Sequence, residues 1–202
     1  MTTSRADYEQ GSQSKIAVVL SCPGKKEQEK GNPAAGQTGK NLEYVLSTLK
    51  NTYKLTDFER GRITIANSWG QVEFKGDGGT GRTEADILEV IEKDNLDRLS
   101  EDIKETTDYI ICCGVNSKVT VSVLQYAGKL IENCRVIYVC HLGNQAINMT
   151  ITQSVDGNEI KPCKKLFDKT TWDERTLKNI SADNRYKRLA VVAKSIYDQI
   201  QA

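Results

Sequence analysis

The chain has 202 residues, 38% of them hydrophobic, and a formal net charge of +1, which fits one domain with its own core and excludes a highly charged disordered polymer. Residues 1–15 are polar, and nowhere do about 18 apolar residues run together, so neither a secretion signal nor a membrane span is expected. The expected compartment is the cytoplasm, with a disordered tail at 1–14 ahead of a single domain at 15–202.

The first apolar run, "IAVVL" at Ile16–Leu20, reads as a buried strand. It stops at "SCPGKKEQEKGNPAAGQTGK", where Gly24, Gly31, Gly36 and Gly39 crowd together with Pro23 and Pro33. Glycine costs conformational entropy and lets a ligand approach the backbone, so this loop predicts a shaped binding surface, against the plainer reading of a long turn. A helix follows, with Leu42, Val45, Leu46 and Leu49 on one face. A second strand at 62–66 ends in "NSWG", and "KGDGGTGR" after it reads as a mobile surface loop. An acidic helix is predicted over 84–104, with Leu88, Ile91, Leu99 and Ile103 inward. The third strand, Tyr109–Cys113, carries Cys112 and Cys113 as small core residues facing opposite sides. A helix follows Asn116, a fourth strand at 136–140 ends at His141, and a last helix at 184–200 presents Leu189, Ala193, Ile196 and Ile200.

Alternating strands and helices predict an α/β fold with a parallel sheet covered on both faces. Sites in such sheets gather at the carboxyl ends of the strands. Asn67 and His141 each lie just beyond a strand and Glu27 lies in the first loop, so an amide, an imidazole and a carboxylate are expected at one rim. The six cysteines form no CxxC pair, so reduced thiols and no metal are expected. Residues 84–108 hold ten acids against three bases, and residues 161–188 nine bases against four acids. The basic segment suits a polyanion, or is a solvated helix face.

With its Pro23-Gly24, its Glu27 three positions later, and "GNPAAGQTGKNL" without a gap, the chain resembles the uracil-DNA glycosylase superfamily, and most of all its microbial branch that bears an iron–sulfur cluster. "ITIAN" is similar to that branch's I-T-N strand end, "CCGVNSK" to its L-G-x-x-A helix start, and "VCHLGNQ" to its strand ending in H-P-S. The resemblance implies a three-layer α/β/α sandwich around a central four-stranded parallel sheet, and an enzyme that flips a base out of DNA and hydrolyses its N-glycosidic bond. It departs from the pattern at Ala34, where the family has an aromatic that stacks on uracil, and at Ser21, where many relatives carry an acid. Leu142 and Gly143 replace the Pro and Ser of the histidine loop, and the cluster cysteines are missing from their expected pairs, so no iron–sulfur cluster and no other cofactor is expected.

The expectation is therefore a monomeric DNA glycosylase excising a base bulkier than uracil. A lesion or a hypermodified cytosine of phage DNA, such as a glucosylated hydroxymethylcytosine, would qualify, the latter in an antiviral role. Glu27, Asn67 and His141 are the expected catalytic residues, with Ser21, Cys22, Pro23, Gly24, Ala34 and Asn67 around the base. DNA is expected to meet Gly36, Gly39, Lys40, Asn116, Ser117, Lys118, Asn144, Lys164, Lys165, Arg185 and Arg188. Two other readings stand beside this one: a catalytically inactive DNA- or lesion-binding module of the same fold, and a nucleotide-handling Rossmann-like enzyme, whose loop would match neither GxGxxG nor a phosphate loop.

Overall fold

The computed structural model describes residues 4–161 and 174–202. Its fold is mixed α/β, built on a mostly parallel sheet. Among the described residues the sheet has six strands in the order β1-β2-β4-β3-β5-β6, namely β1 (Ser4–Arg5), β2 (Tyr8–Glu9), β3 (Ile16–Leu20), β4 (Thr64–Asn67), β5 (Tyr109–Cys113) and β6 (Arg135–Val139). The last four run parallel, with Val18 opposite both Ile65 and Ile111, and Ile111 opposite Ile137. β1 and β2 add to the β4 edge antiparallel.

Alternation along the strands sends side chains to two apolar clusters. Ile16, Val18, Leu20, Ile65, Ile111, Cys113 and Ile137 pack with α2 (Gln37–Asn51) and the long α7 (Glu174–Gln201). Ala17, Val19, Ala66, Ile110 and Cys112 pack with α4 (Lys93–Ile103) and α5 (Val115–Tyr126). Cys112 and Cys113 thus enter different cores, because neighbouring strand residues point to opposite faces. Tyr53 stacks on Tyr197 at 4.4 Å, fastening the turn after α2 to α7. Two further helices, α1 (Lys25–Lys30) and α6 (Asn144–Thr150), are short and sit in the loops after β3 and β6. Among the described residues no helix is long and apolar enough to cross a membrane.

Three expectations change. The tail read as disordered is ordered from Ser4, because its polar residues enter a charge cluster that no local pattern reveals. Asp7 and Asp102, with side chains 9% and 6% exposed, share Arg98 at 3.1 and 3.0 Å. Arg5 bridges the same two carboxylates at 2.8 and 2.7 Å. Burial pushes the Asp102 carboxyl up and holds the Arg98 guanidinium down, each opposed by the charges paired with it. Second, the single acidic helix over 84–104 is two helices. Asp86 caps α3 (Ile87–Val90) and Glu89 reaches back to the Asp86 amide at 2.8 Å, while extended backbone at Glu92 starts α4 anew. The break leaves Leu88, expected inward, 77% exposed. Third, the last helix already includes Glu174, ten residues ahead of the expected 184.

Candidate functional site

At the carboxyl ends of the parallel strands lies a cavity of about 670 Å³ lined by Glu27, Asn67 and His141 together with Ser21, Cys22, Gly24 and Ala34. A second cavity of about 560 Å³, walled by Val139, Ile151, Val191 and Val192 among others, shares Ser21, Glu84, His141 and Ala146 with the first. The two chambers therefore meet at a hydroxyl, a carboxylate and an imidazole. This follows from the topology: parallel strands bring their C-terminal loops to one edge.

The glycine loop is held in shape by Glu27. Its Oε1 accepts the amides of Ala35 and Gly36 at 2.8 and 3.0 Å, and its Oε2 accepts the amide of Gly24 at 3.1 Å. A carboxylate with three backbone donors is a brace and is poorly placed to take a proton from water. The side chain expected to be catalytic thus holds the loop through three backbone hydrogen bonds. From the outer side Arg60 donates to Pro33 O at 2.7 Å and Ala34 O at 3.3 Å while paired with Glu9 at 2.7 Å. Ala34 itself is buried with φ of 51°, an unusual left-handed backbone for a residue with a side chain.

Glu84 is the carboxylate that the sequence reading missed. It is exposed, borders both chambers, and makes no hydrogen bond or ion pair among the described residues. Its charge acts on its neighbours. Burial, with the carboxylates of Glu84 and Glu73 adding to it, pushes the Cys22 thiol up to about 12, so Cys22 stays protonated and donates to Thr83 O at 3.3 Å. For His141, burial lowers the imidazole below its usual 6.5, and Glu84 works in the opposite direction. The Gly143 amide donates to His141 Nδ1 at 3.0 Å, so the neutral ring carries its proton on Nε2. Gly114 makes room for this ring: with φ of 104°, any Cβ there would lie 3.1 Å from the Cβ of His141. Ser21 is 4% exposed, and its hydroxyl has no hydrogen-bond partner of ordinary geometry. This hydroxyl, beside the Cys22 thiol, stands on the wall shared by the two cavities.

Asn67 is 1% exposed, and its position is fixed through the backbone: its amide donates to Asp7 O at 2.9 Å, and Arg98 Nη2 donates to its carbonyl at 2.8 Å. Its side-chain nitrogen lies 3.4 Å from Asp7 O.

The residues expected to meet DNA divide sharply. Lys40 and Lys118 are exposed, and Lys118 borders the second chamber with its ammonium 5.2 Å from the Tyr138 ring. Asn144 and half-buried Gly36 border or support the first chamber. Four others are structural. Asn116 donates to Ala85 O at 2.9 Å and Ser117 to Gly114 O at 3.0 Å, both from buried positions. Gly39 is buried against the backbone of Ala34. Arg188 is buried and donates to Ile151 O at 2.9 Å and Ile160 O at 3.1 Å, so its charge ties two loop carbonyls to α7. Lys164 and Lys165 lie outside the described residues. Among the described residues no three His, Cys, Asp or Glu side chains are grouped so as to hold a metal ion.

The segment after β4 forms the far wall. Residues 75–82, expected as a mobile loop, fold back onto Glu73, whose side chain is 1% exposed and pairs with Arg82 at 2.6 Å. Trp69 Nε1 donates to the same carboxylate at 3.0 Å, and Thr80 Oγ1 donates to it as well. Chiefly through the Arg82 hydrogen bond, the Glu73 carboxyl falls from 4.5 to about 2. A lowered carboxyl stabilises the fold fully above pH 4.5, and that contribution disappears as the pH drops toward 2. Glu73→Gln is therefore expected to lower the melting temperature by several degrees at pH 7 and to flatten its fall between pH 4.5 and 2.5. Thermal melts of both proteins across that range check it, and parallel curves would refute it.

No family model and no curated protein matches the chain.

Proposed function

We propose that this protein is a DNA glycosylase that extrudes a modified or damaged base and hydrolyses its N-glycosidic bond, leaving an abasic site. The reading takes the parallel core with helices on both faces as the three-layer α/β/α sandwich of the uracil-DNA glycosylase superfamily, acting as a cytoplasmic monomer on DNA. The observation that carries it is the shared wall of the two chambers, where Ser21, Glu84 and His141 meet beside Asn67.

Breaking the bond from C1′ to the base nitrogen leaves positive charge on the sugar and sends the bonding electrons to the base. Glu84, unpaired and at the chamber mouth, stabilises the sugar cation and accepts a proton from the water whose oxygen bonds to C1′. His141 donates its Nε2–H to the base as negative charge gathers there, and being neutral in the resting site it does so without desolvating a cation. Asn67 offers the base edge its carboxamide oxygen, its side-chain nitrogen being turned to Asp7 O, and Ser21 supplies one further hydrogen bond. The base must leave the stack first, because this bond is out of reach inside a duplex.

A methyl group stands at Ala34 in place of an aromatic platform, and the second chamber, where Lys118, Thr150 and Ser195 stand among apolar residues, adjoins the first. Together they suit a pyrimidine with a large uncharged substituent better than uracil. The test is a panel of oligonucleotides carrying uracil, hypoxanthine, hydroxymethylcytosine or glucosylated hydroxymethylcytosine, scored by alkali-labile breaks. The expected result is strongest cleavage at the bulky cytosines. Cleavage at none of them would remove the enzyme reading and leave a binding module, which the commitment of Glu27 to three amides also fits.

A further inference from the structure

Beside the larger chamber lies a separate pocket of about 190 Å³, formed by Asn144 and Asn148 of α6 with Lys178, Ser181, Ala182 and Arg185 of α7. Asn144 belongs to the walls of both. Among the described residues every polar group lining the small pocket is neutral or positive, and no carboxylate is among them. Two details suggest that it is built for an anion. Arg185 Nε is shielded from solvent and has no hydrogen-bond partner, while its guanidinium is held 4.8 Å from the Tyr186 ring. A guanidinium set against a ring, whose two terminal nitrogens make no hydrogen bond among the described residues, can close as a fork on a phosphate. Asn144 is also pre-set: its Oδ1 accepts Asn41 Nδ2 at 3.0 Å, which leaves its own Nδ2 as the free donor. Lys178 pairs with Glu174 at 2.7 Å, but Glu174 is 83% exposed, and such a surface pair exchanges readily for a better anion.

We propose that this pocket is a phosphate subsite that takes one backbone phosphodiester of the strand whose nucleotide enters the larger chamber. The inference rests on the DNA reading above and adds to it the residues that fix the strand's register. The pocket is smaller than the roughly 300 Å³ at which ligand sites for whole small molecules begin, which suits a single phosphate group. Arg185 supplies the fork, Lys178 a point charge, and Asn144 and Ser181 neutral donors. Arg188, which the sequence groups with Arg185, faces the core instead.

The experiment measures binding of a fluorescent duplex with a tetrahydrofuran abasic site, by anisotropy, from 50 to 300 mM salt. Wild type is compared with Arg185→Ala, Arg185→Lys and Lys178→Ala. Arg185→Ala is expected to weaken binding roughly tenfold, with Arg185→Lys between it and wild type. The slope of log K against log salt should become shallower by about 0.9 for each phosphate contact removed. Arg185 holds no other element in place, so melting temperatures should stay near that of wild type. If wild type binds the duplex but all three variants bind equally with the same slope, the subsite is refuted and the DNA reading stands. If wild type binds neither duplex nor single strand at any salt, both fall.

Discussion

Glu84→Gln is expected to lower the rate of base excision by roughly a hundredfold to ten-thousandfold, the range over which a positioned general base acts. Its melting temperature and its affinity for the abasic duplex should hardly change. The separation follows from the residue's surroundings: the side chain is exposed and has no partner among the described residues, so the fold does not depend on it. Glu27→Gln should behave otherwise. Replacing one acceptor oxygen by a donor puts an N–H against the amide of Gly24, or against those of Ala35 and Gly36, so the loop loosens and stability falls with activity. Single-turnover rates on the best substrate of the panel, measured with thermal melts, distinguish the two. If Glu27→Gln lost activity at full stability while Glu84→Gln kept wild-type rates, the assignment of the two carboxylates would have to be reversed.

Gly39→Ala is expected to destabilise the protein by about 3 kcal/mol or more, at the upper end of what overpacking costs. A Cβ at this position would lie 1.6 Å from Ala34 O and 2.5 Å from its carbonyl carbon. Relief requires the backbone to move, because no side chain is available to swing aside. The expected fall in melting temperature is about 6 to 12 °C for a protein of this size. By contrast Gly31→Ala meets no heavy atom within 4 Å and is strained only by its φ of 67°, so it should cost roughly 1 kcal/mol. Equal melting temperatures for the two variants would show that the loop does not pack on α2 as described.

The contrast between these two glycines indicates what could be read from the sequence. Glycine density marked the loop after β3, but the same letter stands for a packing contact at Gly39 and a helix terminus at Gly31. The strands were legible because apolar runs such as "IAVVL" have one cheap fate, burial between helices. The rule that loops at their carboxyl ends converge placed Asn67 and His141 at one cavity. Glu84 was hidden because it sits in a segment of ten acids, and which of them faces a cleft depends on where α3 starts. That start comes from the reciprocal bonding of Asp86 and Glu89, which leaves Glu84 outside the helix, a capping pattern that the apolar spacing of the segment masks. Arg188 was misread for a related reason. Charge counts treat every arginine as solvated, whereas this one meets carbonyls of Ile151 and Ile160 that no local pattern links to it.

The order of the first residues reaches further than the sheet edge. Because Asp7 O receives the amide of Asn67 and the Asp7 carboxylate holds Arg98, the chain's opening turn and the floor of the larger chamber form one mechanical unit. A protease cut or a bulky fusion near Arg5 would therefore disturb the larger chamber at Asn67, far from where the change was made.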